Sequence, residues 1–396
     1  MLEGIRVLDF THTLAGLYCS MHLVDLGAEV IQVEPTIMGS KGIGSRTPSG
    51  WQANGFDMRF LTLCRNKNSI LINLKDTAAK EVFHDLVKKS DVVVDNLRPE
   101  ATKRLGIDYE ILKEVNPKII SCSITGYNRS GRYRDLPGFD YVAQALSGFW
   151  NLTGEDGRSP VVPAIPLIDA TTGMFAVKGI LAALYHRAMH DEGQKVDVSL
   201  LSTALSLTLY DGVTYMNSGI VPGPQGTKMR SFPLFGVFQT KDSYIALCLV
   251  TDQQFKSMCH ALEADHLFHD ERFHTRQKRV ENRQLLDDLT QEILLQRETA
   301  PLIKAFADAD VPAEQIIGLD KALVDPRVLE EGIIGSLNWK KKRFKIFKSP
   351  IRLSAKKDIV YSAPPDPGNN TDEIVSKLLG YSIDKINQLK EKGIIA

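Results

Sequence analysis

Asp169, in the segment PLIDATTG, is the side chain best placed to do chemistry. It follows an apolar stretch, Val161 to Ile168, and immediately precedes a helical pattern that runs from Thr171 to about His190. Free amide donors and the positive end of a helix dipole favour a carboxylate there and keep it ionised. An ionised, partly desolvated carboxylate can serve as a covalent nucleophile toward an activated acyl group. The same placement suits an aspartate that merely caps its helix, and spacing alone leaves both roles open. Arg65, Lys67, Lys75, Arg98 and Arg104 all fall beside expected strand ends or helix starts. Arginine forks and lysine point charges hold phosphate, so this basic edge is a candidate site for a phosphorylated cofactor, although surface Lys and Arg are mostly just solvated. His12 is either an acid or base or a plain polar contact within its loop.

Other chemistries lack their patterns. Ser123 and Ser202 have no G-x-S-x-G turn, which leaves a serine hydrolase without support. Glu34 stands where a ribose-binding acid would, but the preceding turn, Thr11-His12-Thr13-Leu14-Ala15-Gly16, holds a single glycine, so no nicotinamide site is expected. Phe139, Tyr141 and Phe149 recur at helical spacing and read as core, not as a face for stacking nucleic-acid bases. Five scattered cysteines without a C-x-x-C pair suggest neither a disulfide framework nor zinc, and a reducing cytoplasm is expected.

The elements that must position these residues read as α/β. Arg6 to Phe10, Ala28 to Val33, Ser69 to Leu74, Asp91 to Asp95 and Lys118 to Ser123 are strand-like runs. Helical patterns lie between them, at Ala15 to Leu26 and from Asp76 to about Lys89. Nearly all-apolar strands are expected where helices cover both faces, so the layout is a parallel, doubly wound (Rossmann-like) sheet. Ligands then bind beyond the strands' carboxyl ends, at 11–16, Glu34-Pro35, Lys75, 96–99 and 125–127. Small residues, Gly173, Ala176, Gly179, Ala182 and Ala183, keep the helix after Asp169 slim. A strand at Lys195 to Val198 follows, and then the Gly- and Pro-rich SGIVPGPQG marks a linker. The domains so drawn are 1–217, a linker at 218–229, a small α+β domain at 230–325 with strands at Tyr244 to Leu249 and near Val311 to Ile317, and a return at 326–396 ending in two helices.

With 396 residues, two domains are the natural prior. Forty-eight basic residues balance 48 acidic ones, so no global field favours nucleic acid or an anionic membrane surface. The first ten residues carry Glu3, Arg6 and Asp9, which does not fit an export signal. Weakly charged stretches such as Val198 to Tyr210 fall short of the ~18–20 apolar residues of a membrane span, so no membrane insertion is expected.

Taken together, VLDFTHTLAG, LGAEVIQVE, CRNKNSILINLK, VVDNLRPEATKRLG, GYNRSGRYRDLPGFDYVAQALSG, PLIDATTG and GQKVDVSLL resemble the family III CoA-transferases, in order and across nearly the whole chain. The resemblance implies an α/β large domain made from both chain ends, a smaller middle domain and an interlocked homodimer. It implies coenzyme A or acyl-CoA as substrate, small carboxylic acids as partners, and neither metal nor nicotinamide. The family nucleophile matches Asp169. Its CoA contacts match His12, Leu14, Ala15, Ile72, Asn73, Leu74, Lys75, Asn96, Leu97, Arg98, Arg104, Pro137, Gly138, Phe139 and Asp140. Pro35 and Pro137 stand where the formyl-CoA enzymes have an arginine and a lysine. LCLVTDQQF replaces their glycine-run loop, which disfavours oxalate as the acid. Phe139 stands where the related α-methylacyl-CoA racemases need a histidine. The racemase and a silent CoA-binding protein are the alternative readings, and a carnitine-like, dicarboxylic or branched acid all remain open.

Overall fold

The computed structural model describes residues 1–36, 50–355 and 359–396, and these form two compact units. One comprises Met1–Phe149, Pro163–Val213 and Gly332–Ala396; the other comprises Trp150–Val162 and Thr214–Glu331. The sequence reading keeps 150–162 in the large domain. In the structure this segment joins the second unit, where the Gly226 amide donates to the Gly154 carbonyl at 2.7 Å.

The first unit is built on β1 (Arg6–Phe10), β2 (Glu29–Glu34), a short hairpin β3 (Gln52–Ala53) and β4 (Phe56–Asp57), then β5 (Asn68–Leu71), β6 (Val92–Asp95), β7 (Ile120–Thr125) and β8 (Lys195–Ser199). Six of these form one sheet in the order β5-β2-β1-β6-β7-β8, and every pairing in it is parallel. Its helices include α1 (Leu14–Asp25), α2 (Met58–Cys64), α3 (Ala79–Lys88), α4 (Pro99–Leu105), α5 (Tyr109–Val115), α6 (Asp140–Leu146), α7 (Leu167–His190) and α8 (Leu200–Ser206), and near the chain's end Thr371–Glu373 and Ile383–Glu391.

Strand residues alternate between two cores, which is why the strand sequences are apolar throughout. Val92 and Val94 join Val7, Ile120 and Cys122 under α1 and α7. Val93 joins Leu8, Ile31 and Ile70 under Val82, Phe83 and Leu86 of α3. Residues near the chain's end complete this second core, including Ile386, Ile394 and Ile395. The expected slimness of α7 is used fully. A Cβ on Gly173 would meet the Ala15 carbonyl at 2.6 Å, and one on Gly179 would meet Val196 Cγ1 at 2.6 Å. By length and composition alone α7, and not Val198–Tyr210, could cross a bilayer. Ile168, Ala176, Ile180 and Ala183 are instead packed in the core beneath α1.

The second unit carries an antiparallel sheet of β9 (Phe235–Gln239), β10 (Tyr244–Cys248) and β11 (Ala313–Gln315). The expected strand near Val311–Ile317 is thus only three residues long. Phe238, Leu247, Phe255, Phe273 and Phe306 fill its separate core. The last part of the first unit opens with the hairpin β12 (Ile334–Trp339) and β13 (Lys342–Phe347), whose Trp339 and Phe344 pack on Phe56.

Candidate active site

The carboxyl ends of β1, β6 and β7 create the site. At the end of β1, Asp9 is fully buried and accepts from the Thr11 amide at 2.9 Å and its hydroxyl at 2.7 Å. Lys67 Nζ donates to the other Asp9 oxygen at 3.0 Å and to Ser20 Oγ at 2.8 Å. Gly16 is required by this turn, because a Cβ there would lie 2.4 Å from Thr11 Cβ. Its lone glycine therefore serves packing of α1 on the turn and not a dinucleotide phosphate. The His12 amide donates to Asn96 Oδ1 at 3.1 Å, and Asn96 Nδ2 donates to Thr13 Oγ1, so the loops after β1 and β6 are tied together.

At the end of β6, buried Asp95 accepts from the Leu97 amide at 3.0 Å and the Ser123 hydroxyl at 2.6 Å. Burial raises its pKa, opposed by Arg129, whose Nη1 is 3.6 Å away. This network holds Asn96-Leu97-Arg98 in a fixed turn, with Pro99 opening α4.

Asp169 lies in the first turn of α7, because the helix begins at Leu167 and not at Thr171. It does not cap the helix. Asp140, the first residue of α6, does so from outside, accepting the Asp169 amide on Oδ2 at 2.8 Å while Gln144 Nε2 donates to its Oδ1. Asp140 is buried, with its carboxylate engaged by the Asp169 amide and by Gln144. Sequence reasoning expects the helix end to keep Asp169 ionised. The structure corrects this: burial, and then the neighbouring Asp140 charge, push its pKa up to about 7.

An open cleft of about 190 Å³ joins these pieces within the first unit. Of the expected residues, Ala15, Asn96, Leu97, Arg98, Pro137, Gly138, Phe139 and Asp169 line it. His12, Leu14, Ile72, Asn73, Leu74, Lys75 and Arg104 are not part of its lining. Leu14 packs on Leu17 and Met21 of its own helix. Ile72 bridges to Ile395 and the Asn73 amide donates to Ile394 O at 2.8 Å, so this stretch is taken up by the chain's last residues. Lys75 and Arg104 are exposed. The basic edge is also smaller than expected. Arg65 forks onto Asp25 at 2.8 and 2.9 Å in the interior, and Lys67 is spent on Asp9. Phe139 and Tyr141 are exposed, at 63% and 51%, and do not form core.

Thr13, Thr125 and Gly126, within the expected segments 11–16 and 125–127, also line the cleft, and Ile124, Arg134, Leu136 and Leu200 line it without having been singled out. Leu200 follows β8, so the rule that ligands gather beyond strand ends would have found it. Arg134 and Leu136 belong to the long loop after β7, where nothing in the local pattern indicates which way a side chain faces.

A six-stranded parallel sheet with a cleft at its carboxyl edge and a half-buried aspartate at a helix start defines an α/β enzyme of the doubly wound class. Residues 2–371 match the model of CoA-transferase family III, and the chain belongs to that family: it is a CoA-transferase acting in acyl-CoA metabolism. It is 33% identical over 402 positions to an acyl-CoA transferase of Fusarium pseudograminearum, covering 100% of this chain and 88% of that one. It is 31% identical to the human succinyl-CoA:glutarate CoA-transferase, covering 100% and 90%. The fold matches a CaiB/BaiF family protein from Brucella suis with a TM-score of 0.82 at 29% identity, over 95% of this chain and 99% of that one.

Proposed function

We propose that the enzyme moves CoA from an acyl-CoA donor to a short dicarboxylic acid through covalent intermediates on Asp169. The observation that carries this reading is the Asp169 carboxylate at the cleft, its amide held by Asp140 and its ionisation poised near neutrality by burial. The resting acid is then neither locked in a salt bridge nor spent on its own helix.

In the first step an Asp169 oxygen attacks the thioester carbonyl and the C–S bond breaks. CoA thiolate leaves and an aspartyl–acyl anhydride remains. The thiolate then attacks the aspartyl carbonyl, giving an aspartyl-CoA thioester and releasing the donor's carboxylate. The acceptor carboxylate attacks that thioester, regenerating thiolate and a new anhydride. Attack of thiolate on the acceptor's acyl carbon yields the product thioester and restores Asp169. No proton or electron is gained or lost over the cycle. One thioester is exchanged for another, so no external energy source is needed.

A dicarboxylate is favoured among the open acids because the human relative is named for succinyl-CoA and glutarate. The racemase reading gains nothing from the site: Phe139 lines the cleft but has no titratable proton to move. Intact-protein mass spectrometry after mixing with succinyl-CoA tests the nucleophile directly. A CoA-sized adduct that hydroxylamine removes, leaving its mark on Asp169, is expected; Asp169→Ala should bind CoA and form none. Adduct formation by the alanine variant, or turnover within tenfold of the parent, would overturn the assignment.

A further inference from the structure

The loop between β7 and α6 is closed at its base by two glycines in contact. A Cβ on Gly126 would lie 2.5 Å from Gly138 Cα, and one on Gly138 would lie 2.3 Å from Gly126 Cα. Within the loop Arg129 is buried, and its Nη2 donates to Thr102 Oγ1 in α4 at 2.9 Å. Its guanidinium also stands 3.6, 3.9 and 3.7 Å from Asp95, Asp108 and Asp197, at the ends of β6, the start of α5 and within β8. A loop pinched at its base and pinned inside by a buried guanidinium presents its outer side chains in a fixed place.

Arg134 is one of them, and it lines the same cleft as Arg98. It sits 3.8 Å from Glu100, two residues beyond Arg98 on α4, and 3.3 Å from Asp135. Both of those carboxylates are half-exposed or more, so they orient the guanidinium yet release it at little cost. Elsewhere the expected cations are missing. Arg65 and Lys67 are consumed by buried aspartates, and positions 35 and 137 are prolines. Arg98 and Arg134 are the cationic side chains of the cleft lining.

Resting on the reading that this cleft takes acyl-CoA, we propose that Arg134, together with Arg98, binds the diphosphate of the CoA nucleotide. Forked arginine contacts with phosphate oxygens are short and geometrically selective. Arg134 is a binding residue in this scheme and does not touch the reacting carbonyl.

The test uses the full-length enzyme with Arg134→Ala, and Arg132→Ala as control. Arg132 lies on the same loop, stacked over Tyr133 at 4.7 Å, and does not line the cleft, so it removes an equal charge without the contact. Calorimetric titration should show CoA binding weakened about tenfold in Arg134→Ala, or about 1.4 kcal/mol, and within about twofold of the parent in Arg132→Ala. KM for acyl-CoA should rise in proportion with kcat unchanged. Dephospho-CoA, which keeps the diphosphate, should show the same loss, whereas turnover of an acyl-pantetheine thioester, which lacks it, should not respond to the substitution. Parent-like CoA binding by Arg134→Ala would overturn the proposal, as would a loss confined to CoA and absent with dephospho-CoA. A parent enzyme with no affinity for CoA would instead sink the reading of the cleft itself.

Discussion

The raised pKa of Asp169 makes the proposed chemistry pH-dependent in a way an ordinary carboxylate would not. Attack requires the ionised form, and the group titrates at about 7, driven up first by burial and then by Asp140. The ionised fraction is then about one in eleven at pH 6 and about ten in eleven at pH 8, so kcat/KM should rise about tenfold across that interval. At the unperturbed value of 3.8 it would be flat there. A dephospho-CoA thioester is the suitable donor, since a phosphate monoester titrates near pH 6 and would blur the limb. Asp140→Asn keeps an oxygen to accept the Asp169 amide but removes the charge, so its limb should move to lower pH. Because burial is the larger cause, the limb should not return all the way.

The same shift has a consequence for stability. A carboxyl whose folded pKa lies above its unfolded one binds its proton more tightly in the folded state. Its contribution is fully present below about pH 4 and is given up as pH rises toward 7. The rise from 3.8 to about 7 corresponds to at most about 4 kcal/mol, and partial exposure to solvent reduces this to about 2 kcal/mol. Asp169→Asn should therefore melt above the parent at pH 8 and with it at pH 4. A flat kcat/KM between pH 6 and 8, together with identical melting of the two proteins at pH 8, would refute the reasoning.

Two further outcomes are expected. Gly126→Ala must push its new methyl group against Gly138 Cα, a backbone atom that cannot rotate away, so destabilisation of about 1–3 kcal/mol and loss of CoA affinity should appear together in melting and titration; normal values of both would show that the loop base is pliable. Tyr185 and Met189 of α7 and Tyr210 of the helix Leu209–Ser218 are 64–79% exposed in the single chain. We propose that the chain forms the homodimer that the family resemblance implies, so light scattering should return twice the chain's 44.0 kDa; a monomer mass would dismiss it.

The parts of this protein legible in its sequence are those set by short-range pattern. Val92-Val93-Val94 reads as a strand buried on both faces because alternate side chains must enter two cores, and the glycines and alanines of α7 announce a close helix contact. The start of that helix marked Asp169, to within one turn, because helix ends draw carboxylates for local electrostatic reasons. What the pattern could not convey depends on residues brought together from far along the chain. Asp140, and not Asp169, takes the free amide at the start of α7, across 29 positions of sequence, and burial, followed by the Asp140 charge, raises the pKa of Asp169 where the local pattern expects it held down. Arg65 and Lys67 look like phosphate ligands in sequence, yet they are consumed by Asp25, 40 residues away, and Asp9, 58 residues away. Arg134, unremarkable in its loop, faces the cleft because two glycines 12 positions apart meet. Local sequence decides which backbone forms; burial and charge at each side chain belong to the tertiary structure, because both are sums over neighbours that only the fold assembles.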